Sequence, residues 1–155
     1  MAIISTGTLS AQQKIAVSLL WNQEYPVQLL LQNVADFDHY LSGLSDLQHL
    51  LYTGLNDELL GWAIKFKRNG EKWFAIIVDS HMHKQGIGAM LLQKLREDET
   101  VLNGWVVDHD SYKKSNAEAY QSPLPFYIKN GFKAELDIRS ESDTLSAVKI
   151  SWTVA

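Results

Sequence analysis

The sequence predicts one α/β domain of 155 residues, with a central, mixed but mostly antiparallel sheet flanked by helices. Three observations predict it. Helical three-and-four spacing dominates the first third of the chain. Period-two alternation and β-forming residues take over from Gln48. One run, Trp73 to Val78, is apolar on both faces, as befits a central strand covered on both sides. A chain of this size buries enough surface to need no disulfide or metal for stability. With no internal repeat and no Pro/Gly/Ser-rich linker, residues 1–155 read as a single domain.

The elements follow in order. Ser10-Ala-Gln-Gln13 has the form of a capping box, and Ile15, Leu19 and Ala16, Leu20 continue at helical spacing until Pro26 interrupts. A short apolar stretch, Val27 to Leu31, has the composition of a strand, and Val34, Phe37, Tyr40, Leu41 and Leu44 predict a second helix. Strands are predicted from His49 to Thr53 and from Leu60 to Lys67, where Trp62, Ile64 and Phe66 alternate with Ala63, Lys65 and Lys67. Asn69-Gly70 supplies the residues of a type I′ turn into the central strand. Gly86 to Arg96 predicts a helix, Trp105 to Val107 a buried strand, and Asn116 to Tyr120 a short helical segment. Phe132 to Ile138 and Leu145 to Thr153 predict a closing hairpin.

Composition excludes several functions. The chain has no cysteine, which removes thiolate zinc sites, iron–sulfur clusters, disulfides and any cysteine nucleophile. Fourteen Lys and Arg against eighteen Asp and Glu leave a net charge of −4, with no basic run to follow a phosphate backbone, so no nucleic-acid partner is expected. No window approaches the ~20 apolar residues of a membrane span and the N-terminus has no signal-peptide pattern, so no membrane partner and a cytoplasmic location are expected. His81, His83, Asp108, His109 and Asp110 have no spacing that supports a metal site, so no metal is expected. No Gly-x-Ser-x-Gly elbow is present either.

The segment that carries chemistry joins the central strand to the next helix, Val78 through Ala89. Two glycines two apart, Gly86 and Gly88, let backbone approach a ligand closely. Free amides at a helix N-terminus make an anion site suited to phosphate. A ligand-free turn explains the spacing equally well. The dinucleotide fingerprint fails because Leu91 stands where its third glycine belongs, and the Gly-Lys-Ser/Thr of a P-loop is absent.

His83-Lys84-Gln85-Gly86-Ile87-Gly88 resembles the acyl-CoA-binding signature of the GNAT acetyltransferase superfamily, Arg/Gln-x-x-Gly-x-Gly/Ala opening a helix. Phe126-Tyr-Ile-Lys-Asn-Gly-Phe132 is similar to the Phe-Tyr-x-x-x-Gly-Phe block of the same family, and 39 residues separate Gly88 from Tyr127. The resemblance runs from about Leu59 to Phe132. It implies acetyl-CoA as co-substrate and a small-molecule or peptide amine as acceptor. Homodimers are common among its members.

The resemblance also implies roles. The pyrophosphate would rest on the amides of Lys84, Gln85, Gly86, Ile87, Gly88 and Ala89. His83 stands where the family usually has Arg or Gln, which leaves the backbone cradle intact. Pantetheine would pair with strand backbone at Ile76, Ile77 and Val78, beside a bulge that parts this strand from the next. Asn116 matches a cofactor-contacting position and also suits an N-cap. Tyr127 matches the phenol that protonates the departing thiolate, its other reading being a core tyrosine satisfied locally. Candidates for a general base are Asp79, Asp108, His109, Asp110 and Glu118. Lys113-Lys114 reads as a solvated pair or as a contact to the 3′-phosphate, and Trp21 as core or acceptor-site lining. A module that binds acyl-CoA without transfer, and a small nucleotide-binding or interaction domain, are the competing functions.

Overall fold

The computed structural model describes residues 2–155. The chain runs β1 (Ala2–Thr6), α1 (Ala11–Glu24), α2 (Val34–Ser42), β2 (Ser45–Thr53), β3 (Leu59–Arg68), β4 (Glu71–Val78), α3 (Ile87–Arg96), β5 (Val101–Val106), α4 (Leu124–Lys129), β6 (Lys133–Glu141) and β7 (Ser146–Thr153). The strands form one sheet in the order β1-β2-β3-β4-β5-β7-β6. Every neighbouring pair is antiparallel except β4 and β5, which run parallel.

Strand alternation sends side chains to two cores. One face of the sheet, with Trp62, Ile64, Phe66 and Ile77, packs with Val17, Leu20 and Trp21 of α1 and Phe37 of α2. The other, with Ala63, Phe74, Leu102 and Ile150, packs with Leu91, Leu92 and Leu95 of α3 and with Tyr127 of α4. The predicted capping box is present: Ser10 Oγ accepts from the Gln13 amide and Gln13 Oε1 from the Ser10 amide. Asn69 and Gly70 take φ of 52° and 77°, as the β3–β4 hairpin requires.

Four sequence expectations are corrected. The strand β1 went unpredicted, because an edge strand with little burial shows no alternation. In α1, Ile15 and Leu19 are exposed, whereas Val17, Leu20 and Trp21 are buried. The helix is apolar on more than one side, so pairs four apart do not identify the inward face. Val27 to Leu29 form a 3-10 turn, not a strand. Its backbone is held by α1 side chains: Trp21 Nε1 donates to Leu29 O at 2.7 Å, and Asn22 Oδ1 accepts from the Leu31 amide. The short helix expected at Asn116–Tyr120 is a turn, closed by the Lys114 amide donating to Glu118 O, and the helix lies at Leu124–Lys129, where Pro123 opens it.

His49, only 1% exposed, marks the core electrostatically. Its Nδ1 accepts from Trp62 Nε1 at 3.1 Å, so the neutral ring carries its proton on Nε2. Burial lowers its pKa from 6.5 to about 4. Between those values the unfolded chain binds more protons than the folded one, so this contribution is complete above pH 6.5 and is lost as pH falls towards 4. Urea unfolding at pH 7 and pH 4 should show about 3 kcal/mol less stability at the lower pH from this group. His49→Leu should lose that part of the pH dependence.

Candidate active site

The parallel strands β4 and β5 share one bridge, Trp73↔Asn103, and diverge beyond it. Asn103, 1% exposed, closes the joined end by donating from Nδ2 to Lys72 O, and the Trp73 and Trp105 rings stack 5.2 Å apart on one face. The expected bulge in β4 is not seen as a register shift, since β4 pairs with β3 without interruption from Glu71 to Val78. The opening therefore comes from the β5 side.

The Asp79 amide donates to Leu60 O, and counting back along an antiparallel pair spends the backbone of Ile77 on β3. Phe74, Ile76 and Val78 turn theirs towards the gap. Of the three β4 residues expected to face pantetheine, Ile77 is thus excluded as a backbone partner. Val78 keeps only its amide free, because its carbonyl lies 3.1 Å from His83 Nε2. This contact gives His83 a place: it braces the loop against the end of β4.

That loop delivers the cradle. Lys84 and Gly86 have φ of 68° and 79°, which turns successive amides the same way. From Lys84 through Ala89 no amide donates to a described residue, and α3 begins at Ile87 with Gly86 O accepting from the Met90 amide. Six N–H groups unspent on described residues and the positive end of α3 therefore lie together where the loop enters the helix. A Cβ on Gly88 would stand 3.3 Å from the Phe126 ring, so Gly88 admits α4 to the helix start.

A cleft of about 390 Å³ runs through the gap between the strands. Near Ile76, Val106 and Tyr127 it opens on the α3 face, and near Trp21, Tyr40 and Phe66 on the α1 face. Tyr127 packs edge-on against Phe74 and Phe132, and its hydroxyl makes no hydrogen bond to a described residue, so it is not a locally satisfied core tyrosine. Burial, with the Tyr120 phenol adding to it, lifts its pKa well above the usual phenol range. Tyr25, Tyr40 and Tyr120 line the same cleft, and burial raises Tyr40 and Tyr120 to about 12. All four phenols stay protonated at neutral pH.

The candidate bases fare differently. Asp108 is engaged by both Arg139 nitrogens at 2.9 and 3.0 Å, which hold its pKa down against burial. Burial works to raise Asp79, but hydrogen bonds from His81 outweigh it and its pKa is lowered. His109 and Asp110 accept from the amides of Ser111 and Ser122. Glu118 and Asn116 lie in the exposed turn, where Asn116 Oδ1 accepts from the Glu118 amide, and neither lines the cleft. Lys114 is no solvated partner of Lys113: its ammonium lies 3.4 Å from Glu24, and both side chains are under 10% exposed. Among the described residues, no three His, Asp or Glu are placed to hold a metal ion.

Sequence reasoning missed Glu24, Arg68 and the phenols of Tyr25 and Tyr120. Glu24 had a signal, since it continues the buried stripe Val17, Trp21 at helical spacing. Its carboxylate accepts from the Ser80 amide at 2.9 Å and so ties α1 to the loop after β4. Glu24→Ala leaves the buried Lys114 ammonium with only the exposed Glu118 carboxylate, 3.9 Å away, and should lower unfolding free energy by about 2 kcal/mol in urea titration.

A strand pair parted at one end, with an amide cradle where the helix after the central strand begins, defines an acyl-CoA-dependent acyltransferase fold. The GNAT acetyltransferase domain model matches residues 47–134, and the chain belongs to that family. No curated protein matches its sequence. Among solved structures it resembles an aminoglycoside 6'-N-acetyltransferase complexed with coenzyme A (TM-score 0.75, 15% identity, 100% of this chain and 98% of that one). It also resembles a phosphinothricin acetyltransferase from Sinorhizobium meliloti in complex with AcCoA (0.68, 11%, 100% and 90%). A third is the ribosomal-protein-S18-alanine N-acetyltransferase from Escherichia coli (0.62, 16%, 99% and 95%). At these identities the likeness establishes the fold.

Proposed function

We propose that this protein transfers an acetyl group from acetyl-CoA to a primary amine, by direct attack in a ternary complex, with residues 1–155 acting as one domain. The observation that carries the reading is the continuity of one path. Six unpaired amides, Lys84 to Ala89, lead along the free edge of β4 at Val78 and Ile76 to the unpartnered Tyr127 hydroxyl. The residues present fit the ligand at both ends: a diphosphate needs donors and positive potential, and an acyl-pantetheine arm needs a strand edge.

Acetyl-CoA supplies an activated acyl group, and the chain supplies position and electrostatics. Outward-facing β4 amides donate to the thioester oxygen, where negative charge develops. Desolvation in the cleft disfavours an ammonium ion, so the acceptor reacts as the neutral, nucleophilic amine. As the nitrogen–carbon bond forms the carbon–sulfur bond breaks. The amine sheds a proton to water in the cleft, Tyr127 donates its proton to the sulfur that leaves, and the tyrosinate regains a proton from that water.

Thiol release from acetyl-CoA in the presence of a panel of amines tests this. Amine-dependent release at a rate above hydrolysis is expected. Binding of acetyl-CoA with no release for any amine would leave a module that binds without transfer.

A further inference from the structure

We propose that the acceptor is an amphipathic amine, its amino group and an anionic group standing at opposite ends of an apolar, ring-sized body, with the anion held by Arg68. The inference rests on the acetyl-transfer reading and names the substrate class of that site. On the α1 face the cleft is walled by Trp21, Tyr40, Phe66, Trp73 and Trp105. Among the described residues, the one charged residue lining it is Arg68, and no carboxylate does. The Arg68 guanidinium lies 5.1 Å from the Phe66 ring centre and 5.9 Å from that of Trp73, with no ion-pair or hydrogen-bond partner among the described residues. Beside it Trp73, 7% exposed, has a buried indole N–H that also lacks a partner. The Trp73 N–H is sealed from solvent whereas Arg68 is exposed, so it is Arg68 that an oxyanion on the acceptor pairs with.

Ring faces that would hold a ligand cation are already taken. Arg68 covers Phe66 and Trp73, and Lys149 lies 5.6 Å from the Trp73 ring centre, its own charge balanced by Glu135 at 3.6 Å. A polycationic acceptor would meet the Arg68 cation and no carboxylate among the described residues lining the cleft. The length follows from the strand. Trp73 and Ile76 are three residues apart on β4, about 10 Å at ~3.3 Å per residue, and Ile76 is the free edge that the acetyl-transfer reading gives to the thioester. An α-amino acid, whose amine and carboxylate are neighbours, cannot span that distance.

The full chain is assayed by thiol release from acetyl-CoA with four amines: 3-(4-aminomethylphenyl)propanoate, benzylamine, phenylalanine and kanamycin. The first should exceed each of the others at least tenfold in kcat/KM. Arg68→Ala should reduce its advantage over benzylamine to within about threefold, chiefly through KM, and Arg68→Lys should restore part of it. Calorimetry with acetyl-CoA on each variant shows that the other half of the site is intact. If acetyl-CoA binds but kanamycin or benzylamine is the best acceptor, if none is acetylated, or if Arg68→Ala leaves the ranking unchanged, the inference is overturned while the cofactor site stands. If acetyl-CoA does not bind the native chain, the acetyl-transfer reading fails first and the inference with it.

Discussion

Tyr127→Phe turns over at least a hundredfold more slowly than the native chain and binds acetyl-CoA as tightly. The size follows from what one positioned proton donor contributes to a transition state. The hydroxyl has no protein partner, so its removal breaks no hydrogen bond, and the ring keeps its contacts with Phe74 and Phe132. Stability should therefore hold, and a kcat loss with unchanged cofactor affinity separates a proton donor from a packing residue. Burial makes a second readout available. An ordinary phenol is half ionised near pH ~10. Tyr127 is lifted well above its usual range and should show no loss of rate from its own ionisation up to that pH. Thiol-release rates between pH 7 and 10 check this.

Gly86→Val weakens acetyl-CoA binding at least tenfold and lowers global stability only slightly. Gly86 holds φ of 79° with no atom within 4 Å of where a Cβ would stand, so nothing clashes and the cost lies in the backbone. An L-residue pays roughly 1–2 kcal/mol there, and a β-branched one more. The loop relieves that strain by turning its amides, and those amides are the proposed pyrophosphate site. Tenfold is about 1.4 kcal/mol, within the range of that cost. Gly86→Asn tolerates the conformation and should retain most of the affinity, which calorimetry distinguishes from a general loss of folding.

The parts of this fold legible in the sequence are those governed by local rules. The capping box at Ser10, the turn at Asn69-Gly70 and the doubly apolar β4 each follow from a few adjacent residues, and each appears in the structure. The Gly86–Gly88 pair could be placed at a strand-to-helix junction for the same reason. What stayed hidden depends on packing between distant segments. Nothing near Trp73 indicates that it would stack on Trp105, or that β4 and β5 would share one bridge. Nothing near Asn116 shows that its turn would lie away from the cleft. Glu24 finds Lys114 across 90 positions, and no pattern in α1 names that partner. Arg68 carries no local signal, and its place beside Phe66 and Trp73 follows from the pairing of β3 with β4. The cofactor half of the site is a local motif, whereas the acceptor half is assembled from the whole chain.

Isothermal titration calorimetry of the native chain with acetyl-CoA, ATP and NAD tests the central claim most directly, because the cradle and the open edge of β4 together select an acyl-pantetheine diphosphate. The account predicts one-to-one binding of acetyl-CoA, lost or weakened at least tenfold in Gly86→Val, and far weaker binding of ATP and NAD, which reach the cradle but not the strand. Absence of acetyl-CoA binding, or equal affinity for ATP or NAD, would contradict it.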